Sequence, residues 1–391
     1  MIRNLSSRIS RVPYPPISAV RDLLARYGGS PLPLLDLCQA VPDYPPADEL
    51  RAYLARAVED DMTGRYTPDE GLHEVRESVA RWYQRHYGGG PEPDELLLTV
   101  GASQAFWLAM NVLCNEGDDV IVPLPAYFDH PMGLVSMGVT PRFVPYMEGG
   151  SGFPTPERLE GFMTPKTKAL LLVSPNNPSG EIISAELLEE LFVFCRSQAI
   201  TLIVDETYNA FLPHVDGPHR LFQRDDWTEH FIHLASFGKT FALTGYRPGA
   251  LVASRELLYQ AVKIQDSMVV CQPRITQLAL HFACDHLDDW SAQRNVELQQ
   301  RQNLFREALE ASSSTFQLLS SGSFFAWVRH PFEHSSGEEV VEKLIAEKHL
   351  ACLPGGAFGP GLDRFLRLAI GNLSLADIPP AIERLTSCPS P

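Results

Sequence analysis

The chain predicts an α/β fold: a three-layer α/β/α large domain around a mostly parallel sheet, with a smaller α+β domain. Three observations predict it. Short apolar runs at Leu96–Val100 and at 120–122, 169–173, 201–204 and 231–235 read as strands buried on both faces. Helical periodicities lie between them, clearest at Ala185–Ser197, where Leu187, Leu188, Leu191, Phe192 and Cys195 share one side. After about Ser267 the texture changes, and strands near 324–328 and 365–370 bracket a helix over Gly337–Lys348.

In chain order, residues 1–50 carry Pro13, Pro15, Pro16, Pro31, Pro33, Pro42, Pro45 and Pro46, so the segment is an extended arm with one helix at 17–27. Leu72, Val75, Val79 and Trp82 then repeat at helical spacing up to Gly88. The βα alternation follows, and 292–311 is a long connector helix rich in Gln, Arg and Glu. The division expected is a large domain over 47–290, with 1–46 and 291–391 forming the small one.

The chain has 391 residues, enough for a sizeable core. A formal net charge of −16 argues against nucleic acid or an anionic membrane as main partner. Seven scattered cysteines, odd in number and without a C-x-x-C pair, fit reduced thiols in a cytoplasmic protein. No run is apolar and long enough to span a bilayer. His214 and His219 flank a proline-broken loop without H-E-x-x-H spacing, so no metal site is expected there.

Chemistry concentrates on Lys239, in Ser236-Phe237-Gly238-Lys239-Thr240 at the end of an apolar run. A desolvated amine at a sheet rim is a candidate nucleophile. Gly-Lys-Thr would also end a P-loop, but that motif needs a glycine where His233 stands. A Schiff-base lysine is left. Four loops match it chemically. Gly101-Ala102-Ser103-Gln104 opens a helix with free N–H groups, suited to an anion or to a plain cap. Ser174-Pro175-Asn176-Asn177-Pro178-Ser179-Gly180 is a stiff amide-bearing loop. Asp205 follows a buried strand and needs a cation or donor, with Tyr208 three residues on. Arg247, between Gly245 and Gly249, has a fork that matches phosphate.

In this order the motifs resemble the class I/II aminotransferases, pyridoxal-phosphate enzymes of the aspartate-aminotransferase fold. The resemblance extends from Gln39-Ala40-Val41-Pro42 to Pro354-Gly355-Gly356-Ala357-Phe358-Gly359. It implies that Lys239 carries the cofactor as an internal aldimine and that Asp205 partners the ring nitrogen. It places Asn177 and Tyr208 at the ring's phenolic oxygen and Tyr127 on the ring face. Ala102, Ser103, Gln104, Ser236 and Arg247 are implied to cradle the phosphate, Tyr66 to reach the phosphate of the neighbouring subunit in a homodimer, and Arg367 to grip the substrate α-carboxylate. Ala40 stands where the family carries a glycine, and Ala357 where it more often carries a serine, so both bear on substrate choice.

The implied activity moves an amino group from an L-amino acid to a 2-oxo acid with ping-pong kinetics. A β-lyase on the same scaffold is the alternative, with a cyclase or decarboxylase behind it. A binding module that has lost its chemistry fits poorly with an intact Lys239, Asp205 and Arg247, and residues 1–50 are too proline-rich for a DNA-binding domain. Tyr14, Tyr127, Phe128 and Phe324 lean the substrate towards neutral or apolar, while Arg224 and Arg274 are conceivable second arginines for a dicarboxylate.

Overall fold

The computed structural model describes residues 5–27, 30–148, 152–213, 217–312 and 314–390. His214 therefore lies outside the described residues. Seven strands form the large sheet: β1 (Leu96–Val100), β2 (Asp119–Pro123), β3 (Thr140–Val144), β4 (Thr167–Val173), β5 (Thr201–Asp205), β6 (Phe231–Ser236) and β7 (Pro248–Val252). Their spatial order is β1-β7-β6-β5-β4-β2-β3. From β6 to β3 every pairing is parallel, and β7 runs antiparallel to both β6 and β1.

Residues along β4 and β5 alternate between two separate apolar cores. Leu171 and Ile203 pack on one face, while Leu170, Leu172, Leu202 and Val204 pack on the other. Both faces are covered by helices, which is the three-layer arrangement and the reason these strands read as unbroken apolar runs. The helices over Ala185–Ser197 and Gly337–Lys348 have the expected bounds. Each begins where a serine, Ser184 or Ser336, accepts a hydrogen bond from a first-turn N–H.

Two strands of the large sheet lay outside the sequence expectation. Thr140–Val144 contains Pro141 and Arg142 and lies at the sheet edge, where half-exposed positions break up an apolar run. Pro248–Val252 begins inside the glycine-rich segment read as a loop, and its burial comes from its place between β1 and β6.

A second, antiparallel sheet contains β8 (Gln317–Gly322), β9 (Phe325–Arg329), β10 (Leu353–Pro354) and β11 (Phe365–Ala369), in the order β10-β11-β9-β8. The arm is tied to this part of the chain, because Leu35 and Asp36 pair in parallel with Leu350 and Ala351. The connector helix runs from Asp288 to Ala311, spanning the 290/291 junction without a break. Among the described residues no helix is long and apolar enough to cross a membrane, and no group of three His, Cys, Asp or Glu residues is placed to hold a metal.

Register decides what meets what. Asp205 pairs with Leu234, Ser236 with Gly249, and Val100 with Pro248. The carboxyl ends of β1, β5 and β6 and the start of β7 therefore share one edge of the sheet, the edge at which ligands bind in open α/β folds.

Candidate active site

At that edge lies a cavity of about 560 Å³, within the usual range for small-molecule sites. The segments after five strands, the arm and β11 all contribute to it. Ala102 and Ser103 come from the first turn of the Gly101–Leu113 helix, Ser236 ends β6 and Lys239 follows it, and Arg247 precedes β7. Gly101 has φ +75, and a Cβ there would lie 2.7 Å from Arg247 Nη2, so only glycine lets the guanidinium close on this helix end. Arg247 itself holds φ +59, an uncommon conformation for a residue with a Cβ.

The acidic group is deep. Asp205 is 4% exposed, and its Oδ1 accepts from the Thr207 backbone N–H at 3.0 Å and from Thr207 Oγ1 at 2.7 Å. His130 Nε2 stands 3.2 Å from Asp205 Oδ2. His130 packs at a tilt against Phe106 and meets Tyr127 edge-on, which fixes its ring plane. Tyr127 lines the cavity and donates its hydroxyl to Asp129. Tyr208 lines it too, its ring against Phe325 at 5.0 Å.

The cations face this carboxylate from other elements. Burial, then the nearby Arg247 and Arg367 guanidinium groups, pull Lys239 down to about 7. Its Nζ donates to the Ala40 carbonyl, so the arm closes directly over the amine. Arg367 on β11 is 1% exposed, and burial lowers its pKa. It donates to Asn177 Oδ1 at 3.1 Å and lies over the Phe325 and Phe358 rings, while its Nε and Nη2 are buried with no protein partner. Buried donors without acceptors are costly, and because Arg367 lines the cavity, a bound anion would supply the acceptors these two lack. Three cations and one deep carboxylate thus line a single cavity in a chain of net charge −16. That donor set fits a ligand carrying a phosphate, a carboxylate and a protonated ring nitrogen, as pyridoxal phosphate with an amino acid does.

Not every expected residue arrives there. Gln104 is turned away: its Oε1 accepts from the Val100 N–H at 2.6 Å and its Nε2 points at Met268 Sδ, so its side chain does not enter the cavity. Tyr66 is 78% exposed and outside this chain's cavity. Ala357 lines a separate apolar cavity beside the arm helix, together with Tyr14. Arg224 is committed to Glu189 and Asp226, and Arg274 to the carbonyls of Arg65 and Tyr66. Ala40 does line the cavity, its methyl in a small cluster with Tyr208, Phe324 and Phe325.

The sequence reading missed His130 and Thr207. A polar residue three positions after Tyr127 was the visible signal for His130. Its approach to Asp205, 75 positions away, depends on tertiary packing.

This geometry makes the comparisons with known proteins specific. Residues 33–385 match the family "Aminotransferase class I and II". The chain is 27% identical over 369 residues to aromatic-amino-acid aminotransferase 2 of Thermococcus litoralis, covering 93% of each chain. It is 28% identical over 388 residues to an aspartate aminotransferase of Thermotoga maritima, covering 98% of this chain and 96% of the other. The structure superposes on an aspartate aminotransferase mutant of Thermus thermophilus with a TM-score of 0.90, at 26% identity, covering 99% and 100% of the two chains. The chain belongs to the class I and II aminotransferases and has the aspartate-aminotransferase fold. It is an aminotransferase enzyme, and no comparison supports the β-lyase reading.

Proposed function

We propose that this enzyme uses pyridoxal phosphate to move an amino group from a neutral or apolar L-amino acid to a 2-oxo acid, the two substrates alternating in ping-pong fashion. The observation that carries the reading is the convergence of Lys239, Asp205, Arg247 and Arg367 on one cavity. Ala102 and Ser103 at the helix end, with Ser236 and Arg247, would hold the phosphate. Asn177, Tyr208 and Tyr127 would orient the ring, and Asp205 would keep a proton on the ring nitrogen. Bound there, the cofactor supplies an electron sink for the pair released from the substrate Cα.

Arg367 Nε and Nη2 would bind the α-carboxylate and so aim the Cα–H bond. Lys239 Nζ, which is substantially neutral near pH 7, would take the Cα proton and later return one. Asp205, held by His130 and Thr207, supplies the fixed negative charge opposite. Tyr66, exposed on this chain, would act in the cavity of a second copy, giving a homodimer, and the unpaired cysteines suit a cytoplasmic setting.

The substrate side follows from the mouth. Ile9, Val12 and Ile17 of the arm face it together with Trp107 and Met132. The three lining cations are all assigned to cofactor or α-carboxylate. Arg21, on the arm helix, is bonded to Gln39 Oε1 at 3.0 Å, and Gln39 lines the cavity. A donor panel tests this: phenylalanine, leucine and methionine should turn over with kcat/KM at least about tenfold above aspartate, one hydrogen-bonded charge being worth about that factor. Preference for aspartate would overturn the substrate reading and point to Arg21.

A further inference from the structure

Behind the cavity wall lies a buried polar cluster that the chemistry above does not use. Along 205–209 the side chains diverge: Asp205, Thr207 and Tyr208 line the cavity, while Glu206 and Asn209 turn into the protein. Both are joined by one hydroxyl. Tyr87, the last residue of the His73–Tyr87 helix, donates to Glu206 Oε2 at 2.8 Å and accepts from Asn209 Nδ2 at 2.6 Å. His219 Nε2 at 3.1 Å and His233 Nε2 at 2.8 Å meet the same carboxylate oxygen. His219 accepts the Leu221 N–H on Nδ1, so its Nε2 carries the proton that Glu206 receives.

We propose that the Tyr87 hydroxyl, with Glu206 and Asn209, is a positioning clip that sets Tyr208 and Asp205 for catalysis. The hydroxyl bridges the residues that bracket Thr207 and Tyr208 in sequence. It therefore fixes from behind the turn that presents both side chains to the cavity. Ring packing on Phe324 and Phe325 holds the Tyr208 ring but leaves its hydroxyl free to shift by rotation of the turn. A catalytic donor must be held within about 0.5 Å, which needs a second layer of bonded support. Tyr87 is also pinned from outside by Gln223 Nε2 on its carbonyl at 2.8 Å and by stacking on Tyr83. The clip rests on the reading of Tyr208 and Asp205 given above.

The test is a double-mutant cycle of Tyr87→Phe and Tyr208→Phe in the holoenzyme. Three quantities are read: kcat and KM, the pH midpoint of the bound-cofactor absorbance, and the unfolding temperature of the cofactor-free protein. Tyr87→Phe should lower kcat about tenfold with KM within about twofold, and should shift the absorbance midpoint. The double variant should lose clearly less than the product of the two single losses, because part of the Tyr87→Phe effect acts through Tyr208. Additive losses would overturn the clip. So would a Tyr87→Phe protein that melts earlier with kcat and midpoint unchanged, since that is a purely structural role. A Tyr208→Phe single that matches the wild type would instead sink the reading of the cavity, and the clip with it. If Tyr87→Phe does not fold, Asn209→Ala, which leaves the Glu206 bonds in place, is measured the same way and decides by the same outcomes.

Discussion

Replacing Arg367 by lysine should cost substrate binding far more than cofactor binding, and the structure sets the scale. The guanidinium is buried, uses one N–H on Asn177, and leaves Nε and Nη2 without partners. Lysine keeps the charge but loses the planar two-donor fork. Each charge-assisted bond to the α-carboxylate contributes about 1.5–3 kcal/mol. Losing one to two of them removes about 1.5–6 kcal/mol of transition-state stabilisation, or roughly 10- to 25,000-fold in kcat/KM. The assay is the single-turnover absorbance change on mixing holoenzyme with an amino acid. The same amino acid without its carboxylate, as the primary amine, serves as reference. The amine should react equally slowly with both proteins, and cofactor affinity should stay within about threefold. Arg367→Met should leave the cofactor-free fold as stable or more so, because an unpaired buried charge is removed. A lysine variant within threefold of wild type on the amino acid, or an equal loss on the amine, would refute the assignment.

Two more outcomes follow from the same cavity. In the cofactor-free protein Lys239 sits at about 7, below the ~10.4 of an unfolded lysine, so the unfolded chain binds more protons between those values and stability rises with pH across them. Lys239→Met should therefore exceed wild type in denaturant stability by up to about 5 kcal/mol below pH 7, and the excess should vanish near pH 10. Equal differences at pH 6 and pH 10 would show that the amine is not desolvated. Gly101→Ala should weaken cofactor binding about tenfold or more, since its Cβ would displace the Arg247 guanidinium, with the far-ultraviolet circular dichroism unchanged. Unaltered cofactor affinity would remove Arg247 from the phosphate site.

Much of the fold was legible because a two-sided sheet writes its strands as continuous apolar runs, as at Leu202-Ile203-Val204. The edge strand with Pro141 and the antiparallel Pro248–Val252 were not, because their strand character comes from neighbours distant in sequence. The same division holds in the cavity. Lys239 and Asp205 were visible because each follows an apolar run at a point that demands a partner, and Arg247 because its phosphate-matching fork stands between two glycines. His130, the Ala40 carbonyl on Lys239 and the Tyr87 hydroxyl were hidden, because each contact spans 75 or more positions. Gln104 went the other way: an apt residue type at a helix start is drawn back onto its own Val100 N–H, a local bond that competes with any ligand.

The most direct test of the account is where the cofactor attaches. Holoenzyme reduced with borohydride, digested and read by mass spectrometry should yield a single modified peptide, with reduced pyridoxal phosphate on the Nζ of Lys239. The Lys239→Met protein treated the same way should yield none. Modification at another lysine, or an unmodified Lys239 in an enzyme that still turns over, would contradict the account.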